Sequence, residues 1–234
     1  MIRINKYIAS RHGCSRREAD RLIAAGKVRV NGEVTEEMGL QVDPDKDDVE
    51  VEGYKEVTKD KMYFAFYKPE GVLTAYGEGQ GGKKTLDNWP RLARYKLPYS
   101  GRLDYDSEGL IILTNDGDLI LRLQRAEFKV EKEYHVTTTK ELPKGAEEEM
   151  RRGLKTEEAE YRPCRAKRTG ERRYRVVLTE GKKRQVRMMF RHFGVRVISL
   201  KRVRIGPVDL EGLEPGKWRE LKDYETEELI RCTE

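Results

Sequence analysis

Cysteine and histidine are both scarce, with three of each in 234 residues. Cys14, Cys164 and Cys232 are odd in number and lack metal-ligand spacing, which excludes a disulfide framework or a zinc site as the organising theme. No stretch approaches the roughly 18–20 apolar residues that span a bilayer. No charged-then-apolar leader opens the sequence, so a reducing cytoplasm is the expected compartment. Glycines 77, 79, 81 and 82 form a loop without the strand–loop–helix frame or the Lys-Ser/Thr ending of a nucleotide-binding loop. Aromatic residues make up only 8% of the chain against 38% charged, and the mean hydropathy is −0.83. Recurrent aliphatic runs still supply a packed core and exclude global disorder.

The charge that is present is concentrated. The net charge is +6, yet residues 1–30 hold eight basic side chains against two acidic, and residues 180–204 hold nine against one. Between them, residues 31–60 carry three basic and eleven acidic side chains. Two positive patches flanking an acidic interval suit a polyanion that touches the protein in two places; solvated helix faces are the alternative.

Residues 1–53 read as a self-contained module. Ile4 and Ile8 share a helix face, and Ser15-Arg-Arg-Glu18 has the form of a capping box. The helix it opens runs through Ala19, Leu22 and Ile23 and stops at Gly26. Val28–Val30, the turn Asn31-Gly32 and Val34 form a hairpin, with a further strand at Val49 and Val51. Residues 54–61 are polar and unpatterned and read as a linker, so a larger domain is expected over 62–234. In it, Tyr63–Tyr67, Leu110–Leu113, Tyr134–Thr138, Tyr174–Thr179, Val195–Leu200 and Arg202–Ile205 read as strands. Helices are expected around Leu119–Leu123, along Leu142, Ala146, Met150 and Leu154, and over Val186–Phe193, where Met188 and Met189 read as core packing. Strands and helices without regular alternation indicate an α+β class.

The densest chemical signal is Gly101-Arg-Leu-Asp104-Tyr-Asp-Ser-Glu-Gly109-Leu, followed by Thr114-Asn-Asp-Gly117. An aspartate in a glycine-bounded loop before an apolar strand can be held by backbone bonds and aimed into a cleft. On spacing alone Asp104 is either such a catalytic group or a turn cap, and capping is the reading for Asp106, Asp116 and Asp118. Asp104 with Asp106 is also a conceivable metal pair, whereas Asp116/Asp118 lack the closing glutamate of a calcium loop.

Two resemblances sharpen these readings. The stretch Arg3–Val51 resembles the S4 RNA-binding domain, which implies that Arg16, Arg17, Arg21, Lys27 and Arg29 contact phosphates, positioning RNA without reading its sequence. The Asp104 segment resembles the catalytic signature of RNA pseudouridine synthases of the RsuA/RluB-like ribosomal RNA branch. Tyr67-Lys-Pro69-x-Gly71-Val, Glu131-Lys-Glu-Tyr134 and Leu178-Thr-Glu-Gly181-Lys-Lys-Arg-Gln185-Val-Arg187 with Lys201–Gly206 resemble its other motifs, in order. The resemblance implies a central mixed, mostly antiparallel sheet with a basic cleft. It makes Asp104 the nucleophile, Tyr134 the residue that stacks on uracil and takes its carbon-five proton, and Arg187 the partner that keeps Asp104 ionised. Arg102 would help fill the gap left by the extruded base, and Leu178 would line the pocket.

Lys182, Lys183, Arg184 and Arg191 extend the basic surface, with Arg184, Arg187 and Arg191 on one helix face. Arg184, where RsuA-like members more often have histidine, favours large-subunit over small-subunit RNA. Isomerising uridine consumes neither electrons nor phosphate, so no cofactor or metal is expected. The expected partner is ribosomal RNA or a subunit assembly intermediate, met by a monomer. The rivals are a non-catalytic RNA-binding assembly factor and a glycoside hydrolase pairing Asp104 with Asp106 or Glu108.

Overall fold

A computed structural model describes residues 1–12, 14–54 and 61–234. The linker expected over 54–61 therefore lies, from 55 to 60, outside the described residues.

The N-terminal module consists of β1 (Ile2–Arg3), α1 (Ile4–His12), α2 (Arg16–Ala24), β2 (Val28–Val30), β3 (Glu33–Val34), β4 (Gln41–Val42) and β5 (Val49–Val51). Ser15 caps α2 by accepting from the Glu18 N–H at 3.1 Å. The β2–β3 turn places both Asn31 and Gly32 at positive φ, as a tight hairpin requires. β5 adds to β2 antiparallel, and β1 pairs with β4. Ile4, Ile8, Ala19, Ile23, Val28 and Val42 are fully buried in a core of the module's own.

The larger domain begins with β6 (Tyr63–Lys68), α3 (Pro90–Ala93), β7 (Glu108–Thr114), α4 (Gly117–Gln124) and β8 (Lys132–Thr138). It continues with α5 (Ala146–Arg152), β9 (Leu154–Lys155), β10 (Glu160–Tyr161), β11 (Arg165–Gly170), β12 (Arg173–Leu178) and α6 (Gln185–His192). β13 (Val197–Ile205), β14 (Val208–Asp209), β15 (Trp218–Glu220) and α7 (Asp223–Arg231) complete it. The main sheet runs β11-β12-β8-β13-β7-β6-β15, with β14 beside β13. Every pairing is antiparallel except that of β13 with β7.

The unbroken run Leu110–Leu113 follows from burial on both faces. Ile111 and Leu113 belong to one core cluster with Met189 and Phe190 of α6, while Leu110 and Ile112 belong to another with Leu119 and Leu123 of α4. Each such side chain withdrawn from water is worth about 1.5–3 kcal/mol, so β7 anchors two layers at once. One helix is shorter than its periodicity suggests. Leu142 precedes α5 and Leu154 lies in β9, because Pro143 and Gly145 (φ 93°) precede the first turn and Gly153 (φ 96°) ends the last. The two strand segments expected over 195–205 form one strand, β13, with irregularities near Ser199 and Arg204.

The parallel junction is short, with Lys201 opposite Glu108 and Arg202 opposite Gly109. Gly109 has φ 117°, and a Cβ there would lie 2.2 Å from the Arg202 carbonyl oxygen. Only glycine permits this approach. Gly109→Ala is expected to cost about 3 kcal/mol or more, read as a lowered urea midpoint with an unchanged slope.

Candidate active site

Asp104 lies in the loop that crosses from Tyr99 to Ser107 in front of β7. The Ser100 N–H donates to the Ile112 carbonyl at 2.8 Å, and Thr74 Oγ1 both donates to the Leu103 carbonyl (2.8 Å) and accepts from the Leu103 N–H (3.1 Å). The Gly71 N–H donates to the Tyr105 carbonyl at 2.8 Å. Beneath it Lys68, fully buried, donates to the carbonyls of Pro69 and Val72, each at 2.8 Å. The Lys-Pro-x-Gly segment is thus a brace for the Asp104 loop. Burial pushes the Lys68 ammonium down to about 8, opposed chiefly by the charge of Asp104.

A second segment meets this loop. The buried Glu180 carboxylate accepts from the Arg162 N–H (2.9 Å) and from Gln185 Nε2 (2.8 Å), while Gln185 Oε1 accepts from the Lys182 N–H (3.0 Å). These bonds fold residues 180–185 into a fixed turn that enters α6 through Arg184, at φ 52°. Arg184 donates to both carboxylate oxygens of Asp106 (3.1 and 2.8 Å), and its Nη1 lies 3.7 Å from Asp104 Oδ2. Arg187, only 11% exposed, donates from Nη2 to the Asp106 carbonyl (2.5 Å) and to Ser107 Oγ (3.3 Å), and its Nε lies 3.4 Å from Asp106 Oδ2.

The carboxylate nearest Arg187 is therefore Asp106, and the guanidinium nearest Asp104 is that of Arg184. Asp106 is no turn cap: hydrogen bonding to Arg184, reinforced by the charge of Arg187, holds its carboxyl below the usual range. Asp116 does cap α4, accepting from the Leu119 N–H at 3.1 Å, whereas Asp118 forms an exposed pair with Lys6. The three arginines do not share one open face. Arg184 precedes the helix, Arg187 turns inward, and Arg191 is paired with Glu158.

A cavity of about 600 Å³ brings Asp104 together with Tyr134, Leu178 and Arg102, and with Lys182, Lys183 and Arg184 at its rim. Arg187 is not in its lining. Tyr134 and Leu178 are buried, and the Asp104 side chain is about one-third exposed. Asp104 is the only carboxylate among the described residues that line it, against six cationic side chains. Asp106 and Glu108 stay outside; Glu108 accepts from the Tyr67 hydroxyl at 2.8 Å. A glycoside hydrolase needs two carboxylates flanking one bond, so that rival finds no second group here. Among the described residues, no cluster of His, Cys, Asp or Glu is placed to hold a metal, and no helix is long and apolar enough to cross a membrane.

In the N-terminal module, Arg16, Arg17, Arg21, Lys27 and Arg29 are all exposed. Lys27 and Arg29 border a larger hollow of about 800 Å³, where Asp45, Asp47 and Glu50 offset them. Sequence reasoning missed Asp106 as the junction of the arginines, Arg202, which is buried and donates to the Leu110 carbonyl at 2.7 Å, and Lys132. Strand alternation from Tyr134 back to Lys132 was the available signal for the last.

A sheet with a lone aspartate above a cation-lined cavity, preceded by a basic module, defines an enzyme that acts on nucleic acid. The RNA pseudouridylate synthase family model matches residues 62–192, and the S4 domain model matches residues 2–48. The chain is 37% identical over 235 residues to the ribosomal large subunit pseudouridine synthase B of Bacillus subtilis, covering 98% of this chain and 96% of that protein. It is 37% identical over 236 residues to the dual-specificity RNA pseudouridine synthase RluF of Escherichia coli, covering 100% of this chain and 80% of that one. A crystal structure of a pseudouridylate synthase superposes with a TM-score of 0.68 at 29% identity, covering 98% of this chain and 100% of the other. The chain belongs to the RNA pseudouridine synthase family, with an S4 domain preceding the catalytic domain, and is an isomerase acting on RNA.

Replacing Lys68 by methionine removes its donor from the buried Val72 carbonyl and the part-buried Pro69 carbonyl, an expected loss of about 1–3 kcal/mol. Lys68 holds its proton to about pH 8 when folded, against 10.5 as the ordinary value. Between these values the unfolded chain binds more protons, so Lys68 makes wild-type stability rise with pH across that window. Subtracting the urea stability of Lys68→Met from that of the wild type at pH 7 and pH 10 should show the difference growing.

Proposed function

We propose that the protein isomerises a uridine of large-subunit (23S) ribosomal RNA, with Asp104 as the nucleophile on a base drawn out of its stack. The observation that carries this reading is the lone carboxylate, one-third exposed, in a cavity walled by Tyr134 and Leu178 and rimmed by cations. Uracil enters that cavity against Tyr134 and Leu178, at an unstacking cost of a few kcal/mol. Asp104 assists separation of the base from the ribose, by covalent addition or by a glycal route. The base turns and rejoins the sugar through carbon five, whose proton passes to Tyr134. Arg184 supplies the positive charge beside Asp104. Arg187 is a positioning residue that acts through the Asp106 carbonyl and Ser107. Arg102, exposed at the mouth, takes the space the base vacates.

Binding energy comes from the phosphates. Lys182 and Lys183 grip the strand at the rim, while Arg16, Arg17, Arg21, Lys27 and Arg29 hold a second stretch, so affinity falls steeply with salt. Arg191 contributes after releasing Glu158. The Bacillus relative, named for the large subunit, favours that subunit. A second reading, more than one RNA target, is favoured by the equally similar dual-specificity relative.

The test is tritium release from [5-³H]uridine-labelled large- and small-subunit transcripts, followed by chemical mapping of pseudouridine. One uridine in the large-subunit transcript should be converted. Asp104→Asn should lower the rate by at least about a thousandfold while RNA affinity stays within about threefold. Turnover surviving that substitution overturns the nucleophile, product confined to small-subunit RNA overturns the subunit, and no product from the wild type favours an RNA-binding assembly factor.

A further inference from the structure

Lys132 opens β8 and is only 5% exposed, and its Nζ has no hydrogen-bond partner among the described residues. An ammonium withdrawn from water without a partner costs free energy that an apolar side chain of the same length would not. The register of β8 explains where it points. Lys132 lies opposite Leu178 and Tyr134 opposite Val176 with no irregularity between them, so Lys132 shares the cavity face with Tyr134 and Leu178.

The charges around Lys132 do not satisfy it. Arg202 of β13 has the same sign, and its own N–H groups are directed at the Leu110 and Gly101 carbonyls. Cys232, beyond α7, is a thiol that burial pushes up and so supplies no fixed counter-charge, and Tyr134 lies two residues along β8. Burial first, then Arg202, push the Lys132 ammonium down to about 8. Asp104 and Lys132 line the same cavity, Asp104 from the loop before β7 and Lys132 from the start of β8. A pyrimidine that meets Asp104 at its sugar carries ring position 4 on the edge away from that sugar, inside the cavity that Lys132 lines.

We propose that the Lys132 ammonium donates a hydrogen bond to the carbonyl at position 4 of the extruded uracil and is a specificity-determining residue of this site. Uracil presents an oxygen there, whereas cytosine presents an amino group that the ammonium repels. A site built to hydrogen-bond a substrate group rejects the analogue lacking it far more strongly than an apolar pocket does. The inference rests on the reaction proposed at Asp104.

The test compares full-length wild type, Lys132→Met, Lys132→Arg and Asp104→Asn on the same tritiated large-subunit transcript. Methionine keeps the length, breaks no bond and removes an unpartnered charge. Lys132→Met should therefore melt no lower than the wild type, while its single-turnover rate falls at least about thirtyfold and overall RNA affinity stays within about threefold. The wild-type rate should decline as pH passes about 8, where Lys132 loses its proton. Lys132→Arg should recover part of the rate without that decline, since guanidinium stays charged. A Lys132→Met rate within threefold of wild type overturns the proposal; if that variant unfolds, a wild-type rate that is flat from pH 7 to 9 overturns it instead. Asp104→Asn inactive beside a fully active Lys132→Met removes the lysine's role alone. Asp104→Asn at the wild-type rate removes the reaction on which it rests.

Discussion

Between Gly109 and Arg202 two backbones approach more closely than any Cβ allows, and the site hangs from that contact. The junction is the one parallel pairing in the main sheet and spans two residue pairs. It fixes where β7 begins, and therefore where the loop carrying Asp104 leaves the sheet. Arg202 ties the same place from its side chain, reaching the Leu110 and Gly101 carbonyls. A glycine and an arginine far apart in the chain, Gly109 and Arg202, thus fix where the loop carrying the carboxylate leaves the sheet. Anchoring it on a strand packed on both faces limits how far the loop can drift.

Charge is arranged around the loop in depth. Lys68 lies beneath it, Arg184 beside it and Arg187 behind it, and each has a defined partner: two carbonyls, the Asp106 carboxylate, or the Asp106 carbonyl with Ser107. Asp106 is the pivot, because it commits the arginines before substrate arrives and leaves Asp104 with a single guanidinium at 3.7 Å. Asp104 itself stays partly open, its side chain about one-third exposed.

How much of this was legible in the chain depends on the range of the interaction. Local devices were readable: the Ser15 cap, the Gly26 stop, the Asn31-Gly32 turn and the apolar run of β7 all depend on neighbours within a few residues. The gathering of Asp104, Tyr134 and Leu178 came through resemblance, since nothing in their spacing declares one cavity. Leu142 and Leu154 misled because a four-residue period says nothing about Pro143 or the two flanking glycines. Arg187, expected beside Asp104, has Asp106 as its nearest carboxylate for a similar reason. Asp104 and Asp106 are two residues apart, and which one meets a guanidinium eighty residues away is decided by the direction of a loop. Periodicity does not encode that direction.

The two buried lysines show how the same protein spends stability in different ways. Lys68 and Lys132 are both pushed down to about 8 by burial, yet one is satisfied and the other is not. Lys68 repays its desolvation locally, through bonds to the buried Val72 carbonyl and the part-buried Pro69 carbonyl. Lys132 repays nothing in the free protein. A fold selected for stability alone would place methionine or leucine there, as it places Leu178 across the strand pair. An unsatisfied donor kept in a cavity with one carboxylate and five other cations is explained when the missing acceptor arrives with the substrate. The cavity is then incomplete by construction, its last hydrogen bond being made only when a base has left the RNA stack.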